Sequence, residues 1–308
     1  MKQTERRNPR SVGIDRLSVE QALRVFHAED RLAAEAAAAA EEDVSAAAEW
    51  AAASFRAGGR LVYAGAGTSG RLGALDAAEC PPTFGVPPET VVGLIAGGDA
   101  ALRKAVEGAE DSPEGGAQAV REIGICALDT FIGVSASGTA PYVLGALKEA
   151  KRLGAKTALL CCAPPNRSLD SFVDRQICAV VGPEIIAGST RLKAGTATKL
   201  ILNQISTIAM IQTGKVYDNW MVNVQLSNRK LRRRALRLVM TLGEAEKPAA
   251  QAALDKGGSV KAAVVMLKRG VNAEAAERLL HSAGGNLRTA LERGEADSFK
   301  QKRKRGNA

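Results

Sequence analysis

The chain has 308 residues, 46% of them hydrophobic, and a net charge of +9, enough length and apolar content for one large domain and a smaller satellite. His27 and His281 lie far apart, and Cys80, Cys126, Cys161, Cys162 and Cys178 are an odd number without C-x-x-C spacing, so no zinc site or disulfide framework is expected. No uncharged apolar run of about 18 residues and no apolar leader occur, so a soluble cytoplasmic protein is expected.

Residues 17–57 are rich in alanine and glutamate, which predicts a helical arm or a pair of helices. Gly58-Gly59 closes that region as a C-cap would. Five short apolar runs follow, at 61–66, 91–96, 130–134, 157–161 and 177–181, alternating with helical patterns. Continuous apolarity suits strands covered on both faces, and the alternation predicts an α/β fold with a parallel sheet. In such sheets ligands bind beyond the carboxyl ends of the strands. The segment 188–196 leads into a long apolar helix over 197–212, closed by Gly214.

The basicity is concentrated further on. Arg229, Lys230, Arg232, Arg233, Arg234 and Arg237 form one cluster, and Lys300, Lys302, Arg303, Lys304 and Arg305 another; the rest of the chain is left at −2. Neither cluster interleaves aromatic residues, so a solvated helix face and a tail are expected in place of a nucleic-acid site. Between them, residues 245–291 carry three short helical patterns separated by Gly257-Gly258, Gly270 and Gly284-Gly285.

The first βα junction reads Gly65-Ala66-Gly67-Thr68-Ser69-Gly70, which matches the G-x-G-x-x-G dinucleotide fingerprint. That fingerprint also needs an acid ending the second strand, and Ile95-Ala96-Gly97-Gly98 puts Asp99 beyond two glycines. A phosphate is the better occupant, because the third strand ends in a second hydroxyl-rich loop, Ser135-Ala136-Ser137-Gly138-Thr139. Thr68, Ser69, Ser135, Ser137 and Thr139 would meet at one end of the sheet, backed by helix N-termini. The bland alternatives are a structural tight turn and hydroxyls that only cap helices.

Two places offer acids. A helix over 71–78 is expected to stop at Glu79-Cys80-Pro81-Pro82, where the helix end and the prolines would fix the Glu79 carboxylate as an acid. In Glu107-Gly108-Ala109-Glu110-Asp111, Glu107 and Glu110 share a helix face, and the residues alone do not choose between them. A sugar-phosphate or similar anion site with nearby carboxylates is as far as these residues lead.

Taken together, Gly65–Gly70 with Arg71-Leu72-Gly73, Glu79-Cys80-Pro81-Pro82-Thr83, Leu94-Ile95-Ala96-Gly97-Gly98, Glu107-Gly108-Ala109-Glu110-Asp111 and Lys193-Ala194-Gly195-Thr196-Ala197 resemble the N-acetylmuramic acid 6-phosphate etherases, sugar-isomerase (SIS) domain proteins. The likeness runs from Thr4 to Leu291. It implies a three-layer αβα SIS domain with a five-stranded parallel sheet, an N-terminal helical arm and a small C-terminal helical domain. The implied boundaries are an arm over 1–51, the SIS domain over 52–216, a basic helical connector over 217–243, a helical domain over 244–292 and a disordered basic tail over 293–308.

The resemblance further implies cleavage of a D-lactyl ether to N-acetylglucosamine 6-phosphate and D-lactate, in cell-wall amino-sugar recycling. By it Glu79 is the proton donor and Glu110 the second active-site glutamate, with no cofactor, no metal, no nucleic-acid or membrane partner, and a homodimeric state. The chain departs from the family pattern at Thr139-Ala140, where Arg-Thr is usual, and at Asn223, where Asp is usual. The competing expectation is a non-catalytic sugar-phosphate-binding regulatory SIS protein such as the glucokinase regulatory protein; both glutamates argue against it. A sugar-phosphate-sensing transcription factor would need a helix-turn-helix before the sheet, and residues 17–57 offer no obvious recognition helix.

Overall fold

The five apolar runs form a single parallel sheet in the order β2-β1-β3-β4-β5. The computed structural model describes residues 3–226 and 229–292, and the chain divides into two units, Met1–Glu79 with Pro88–Ala209, and Cys80–Pro87 with Met210–Ala308. In chain order the elements are α1 (Val19–Ala39), α2 (Glu41–Arg56), β1 (Leu61–Gly65), α3 (Gly67–Phe84), β2 (Val91–Ile95), α4 (Ala100–Arg103), α5 (Pro113–Glu122), β3 (Thr130–Val134), α6 (Pro141–Arg152), β4 (Lys156–Cys161), β5 (Arg175–Cys178) and α7 (Lys193–Gln212). After them come β6 (Val216–Tyr217), β7 (Trp220–Met221), α8 (Arg229–Gly243), α9 (Lys247–Gly257), α10 (Val260–Arg269) and α11 (Ala273–Ser282).

In the first unit, strand side chains alternate between two helical layers. Val62, Phe131 and Leu159 bury against α5 and α6 through Val120, Val143 and Leu147. Tyr63 points to the other layer, where its hydroxyl donates to Asp76 of α3 at 2.9 Å. The same carboxylate accepts from Asn203 at 2.6 Å and Ser206 at 3.1 Å, so it ties α3 to α7. Burial pushes Asp76 above the usual carboxylate range, against the lowering effect of these hydrogen bonds. The second helix of the expected arm belongs to this layer as well: α2 buries Ala47, Ala48, Ala51 and Ala52, and small side chains let it approach the sheet closely. The arm therefore breaks at Ala40, and α1 is the more exposed half, with Val19 and Leu23 largely uncovered.

Three elements differ from their expected bounds by more than one residue, each for a physical reason. The run 177–181 becomes a strand at Arg175–Cys178, because β4 ends at Cys161 and the last ladder bond, Ala179 N to Cys161 O, spans 2.8 Å. Helix α7 starts four residues before the expected position, at Lys193, because the buried Glu184 carboxylate accepts the Lys193 and Ala194 amides at 3.0 and 2.9 Å. A cap supplied from nine residues upstream leaves no local sequence signal. The largest correction concerns the helix expected to stop before Pro81. It begins at Gly67 and continues through Pro81 and Pro82 to Phe84. The prolines remove only the donors that would have met Ala77 and Ala78, and the helix closes with Gly85 N bonded to Pro81 O at 2.9 Å. Glu79 is thus inside the helix and not at its end.

In the second unit, Val222, Leu238, Val239, Leu254, Val264 and Leu280 build a core between α8, α9, α10 and α11. The basic segment is helical as expected, but a hairpin precedes it, turning at Asp218 with φ 52° between β6 and β7. Lys261 is buried and donates to the carbonyls of Gly214 at 2.8 Å and Gly285 at 2.7 Å. Burial, with a smaller contribution from Lys215, pulls its pKa down to about 8. Asn223 donates to Phe84 O at 2.7 Å and Gly85 O at 3.3 Å, a role that an aspartate could not fill as a donor. The tail expected over 293–308, with its basic cluster from Lys300 to Arg305, lies outside the described residues.

One buried ion pair fixes the ends of the first unit. Lys193, fully buried, bonds Glu29 and the Val181 carbonyl, and Glu29 also accepts from Arg10 and from Asn8 at 2.8 Å. Asn8 donates in addition to Pro183 O at 3.2 Å and Ser11 to Ile185 O at 2.7 Å, so the N-terminal segment is bound to the stretch after β5. Burial works to raise the Glu29 pKa, but the hydrogen bonds from Arg10, Lys193 and Asn8 outweigh it and hold Glu29 at about 2 against an ordinary 4.5. A depressed carboxylate pKa stabilises the fold fully above the ordinary value and ceases to as the pH falls through the folded one. That contribution is about 3 kcal/mol. In urea titrations, the stability gap between wild type and Glu29→Gln should therefore be full above about pH 5 and shrink toward about pH 2; a pH-independent gap would show that Glu29 is not ionised in the fold.

Candidate functional site

The strand order places β1 between β2 and β3, so the chain leaves β1 in one direction and β3 in the other. The loops after these two strands border the crevice where ligands bind in open parallel sheets. A cavity of about 360 Å³ lies there, lined by Thr68, Ser69, Glu110, Ser135 and Ser137 together with Thr4, Glu5 and Thr190.

The first loop is short because the helix starts at once. An added Cβ on Gly65 would meet Gly70 N at 2.6 Å, and one on Gly70 would meet Ile95 Cγ1 at 2.6 Å and Gly65 O at 2.7 Å. Glycine at both positions lets α3 begin two residues after β1, with φ +53° at Gly67. The first amides of α3 consequently lack helical partners and, with the positive end of the helix dipole, form an anion cradle. This close packing is the use found for the G-x-G-x-x-G pattern.

The second loop is held by its own hydroxyls. Ser135, buried, accepts from Ala140 N at 3.3 Å. Ser137 and Thr139 hydroxyls lie 2.9 Å apart, and Ser137 also accepts from Thr139 N at 3.3 Å. Thr139 is not among the residues lining the cavity; it orients Ser137, which is.

Glu110 reaches the cavity from the connection between β2 and α5. Gly108, at φ +73°, turns the chain into a short 3₁₀ segment, Ala109–Asp111, and Ser112 then caps α5 by accepting from Gly115 N at 3.0 Å. Helix α5 is anchored backbone to backbone on α6, where a Cβ on Gly145 would come within 2.0 Å of Pro113 O. Glu110 also lines a second cavity of about 270 Å³, which it shares with Arg71, Glu107 and Asp111. Of the two glutamates left open by the sequence, Glu110 alone borders the hydroxyl-lined cavity.

Glu79 does not line either cavity. It is exposed on the same unbroken helix whose start forms the anion cradle, nine residues beyond Gly70, which at 1.5 Å per residue is about 13 Å. The structure therefore brings together Thr68, Ser69, Ser135, Ser137 and Glu110, and leaves Glu79 apart from them within one chain. Thr4, Glu5 and Thr190 went unforeseen as cavity residues. They arrive through the segments that the Glu29–Lys193 cluster holds, which the sequence marked only as the start of the family likeness at Thr4 and as the lead-in over 188–196 to the long helix.

A family model described as the glucokinase regulatory protein N-terminal SIS domain matches residues 43–151. The chain is 50% identical over 289 residues to N-acetylmuramic acid 6-phosphate etherase 1 of Bacillus licheniformis, covering 94% of this chain and 95% of that protein. It is 50% identical over 291 residues to the N-acetylmuramic acid 6-phosphate etherase of Gloeobacter violaceus, covering 94% and 95%. The protein of the same name from Serratia proteamaculans is 48% identical over 291 residues, covering 94% and 98%.

A Gly70→Ala substitution should push the start of α3 away from β1 and β2, because its Cβ would meet backbone and Ile95 at under 3 Å. The expected result is a loss of about 1–3 kcal/mol in thermal stability. Inorganic phosphate should also stabilise the variant less than the wild type in thermal-shift titrations, and an unchanged phosphate response would show that the cradle is not where phosphate binds.

Proposed function

The chain belongs to the N-acetylmuramic acid 6-phosphate etherase family, and we propose that it cleaves the D-lactyl ether of N-acetylmuramic acid 6-phosphate, giving N-acetylglucosamine 6-phosphate and D-lactate. The observation that carries this reading is the meeting of two hydroxyl-rich loops and one glutamate, Glu110, in a single cavity at the carboxyl end of the sheet. The alternative of a non-catalytic regulator leaves that glutamate without a role, and identity near 50% across 94% of the chain to proteins named as etherases favours the enzyme.

The phosphate occupies the cradle of Thr68, Ser69, Ser135 and Ser137, which fixes the far end of an open-chain sugar. An ether is a poor leaving group, but C3 is β to the C1 aldehyde, so removal of the C2 proton forms an enolate that expels the lactate oxygen. Glu110, at the rim of the same cavity, is the base that takes the C2 proton. Helix N-terminal amides not taken up by the phosphate stabilise the enolate oxygen. Glu79 is the acid that protonates the departing lactate, and afterwards assists water addition across the double bond. Such elimination and addition needs two carboxylates and no redox step. Among the described residues no helix is long and apolar enough to cross a membrane, and a cytoplasmic location fits a substrate produced by cell-wall recycling.

Two arrangements would reconcile Glu79 with a phosphate about 13 Å away, an early break in the helix or a site shared between protomers. An early break in the helix is excluded, since α3 runs to Phe84. The remaining way is a homodimer in which Glu79 of one protomer serves the cavity of the other. Leu75, one turn before Glu79 on the same helix face, is 51% exposed, which suits a surface that a second protomer covers.

Incubation with N-acetylmuramic acid 6-phosphate in deuterated water tests both the reaction and the roles. D-lactate should appear with deuterium at C2; absence of lactate, with the sugar phosphate still bound, would favour the regulator. Glu79→Ala should release no lactate yet exchange the C2 proton, whereas Glu110→Ala should stop both; the reverse pattern would exchange the assignments. Mixing the two inactive variants should restore about a quarter of wild-type activity, because half the dimers are hybrids and half their sites are intact. No recovery on mixing, with subunit exchange confirmed, would place both glutamates in one protomer.

A further inference from the structure

The second cavity, next to the phosphate cradle, has no part in the mechanism so far. It shares Ala66, Gly67 and Glu110 with the first cavity, so the two are separated only by the Glu110 segment and the start of α3. Among the described residues lining either cavity, Arg71 is the only cation. It stands one helical turn after Gly67, on the same face of α3. Its Nε donates to the Leu102 carbonyl at 3.2 Å, which fixes the guanidinium by one edge. Among the described residues Arg71 forms no ion pair, although Glu107, Glu110 and Asp111 line the same cavity.

Such an arrangement is unfavourable for most ligands and selective for one kind. Three acids repel any anion, so a carboxylate enters only if a cation with free donors waits inside. A guanidinium held by Nε keeps its terminal amino groups available for a planar oxyanion. We propose that this cavity is the subsite for the carboxylate of the substrate's 2-oxypropionate (lactyl) group, with Arg71 as the residue that binds it. The inference rests on the etherase reading given above. It also accounts for the place of Glu110 on the wall between cavities: the phosphate lies on one side, the carboxylate on the other, and C2 and C3 fall between them at the base. The cradle holds its phosphate with hydroxyls and amides, while the one cation is reserved for the group that distinguishes this substrate from a simple sugar phosphate.

The test compares N-acetylmuramic acid 6-phosphate with its primary amide, in which the lactyl carboxylate is neutral. Wild type should prefer the acid, and Arg71→Met should lower kcat/KM about 10- to 100-fold on the acid, the loss expected for one charge-assisted contact, while changing the amide less than about threefold. Arg71→Lys should recover part of the preference. Unchanged amide turnover reports an intact fold. Equal losses on both substrates would make Arg71 a structural residue and overturn the proposal, as would no loss on either. If wild type cleaves neither compound, the etherase reading falls and the subsite is judged by equilibrium binding alone. In that case tighter binding of the acid than the amide by wild type, abolished in Arg71→Met, supports the subsite, and equal binding by wild type overturns it.

Discussion

The closeness of β1 to the first turn of α3 is the constraint on which the site depends. A methyl group at Gly65 or Gly70 would collide with backbone at under 3 Å, so the helix can begin where it does only if both are glycine. Starting there, α3 points its unpaired amides into the crevice that the strand order opens between β1 and β3. Three walls are set around that start: the loop after β3 borders the same cavity, the Glu110 segment closes one side, and Arg71 comes one turn later on α3.

The remaining wall depends on a costlier device. Lys193 and Glu29 are both withdrawn from water, and desolvating two charges is repaid only by good geometry and additional hydrogen bonds. Here Arg10, Asn8 and the Val181 carbonyl supply them. In return the chain's N-terminal segment and the stretch after β5 are held together, which places Thr4, Glu5 and Thr190 around the cavity. A hydrophobic cluster could have packed these segments, but hydrogen bonds also fix their register, since Asn8 and Ser11 each reach a particular carbonyl.

Much of the sheet was legible because its signal is local. Continuous apolar runs bounded by glycine, proline or polar residues marked all five strands, and hydroxyls after the first and third pointed to the crevice. Features that depend on distant residues were not legible. The early start of α7 needs Glu184 and the walls need Glu29. The passage of α3 through two prolines is a local matter of a different kind, set by which carbonyls lose a donor. Local rules end a helix before Pro81-Pro82, yet in a last turn little hydrogen bonding remains to be broken. The motif Glu79-Cys80-Pro81-Pro82 thus named a family correctly while its local physics was misread. Glu110 was recoverable from spacing plus resemblance, but not from the residues alone, because what selects it over Glu107 is a 3₁₀ turn after a left-handed glycine.

The unbroken course of α3 makes counting part of the chemistry. Each residue of an α-helix advances the chain by about 1.5 Å and rotates it by about 100°. Inserting or deleting one residue between Asp76 and Glu79 would leave the cradle, Arg71 and the Asp76 contacts in place and still turn Glu79 to a different side of the helix. The interval between the start of α3 and Glu79 is therefore a fixed measure.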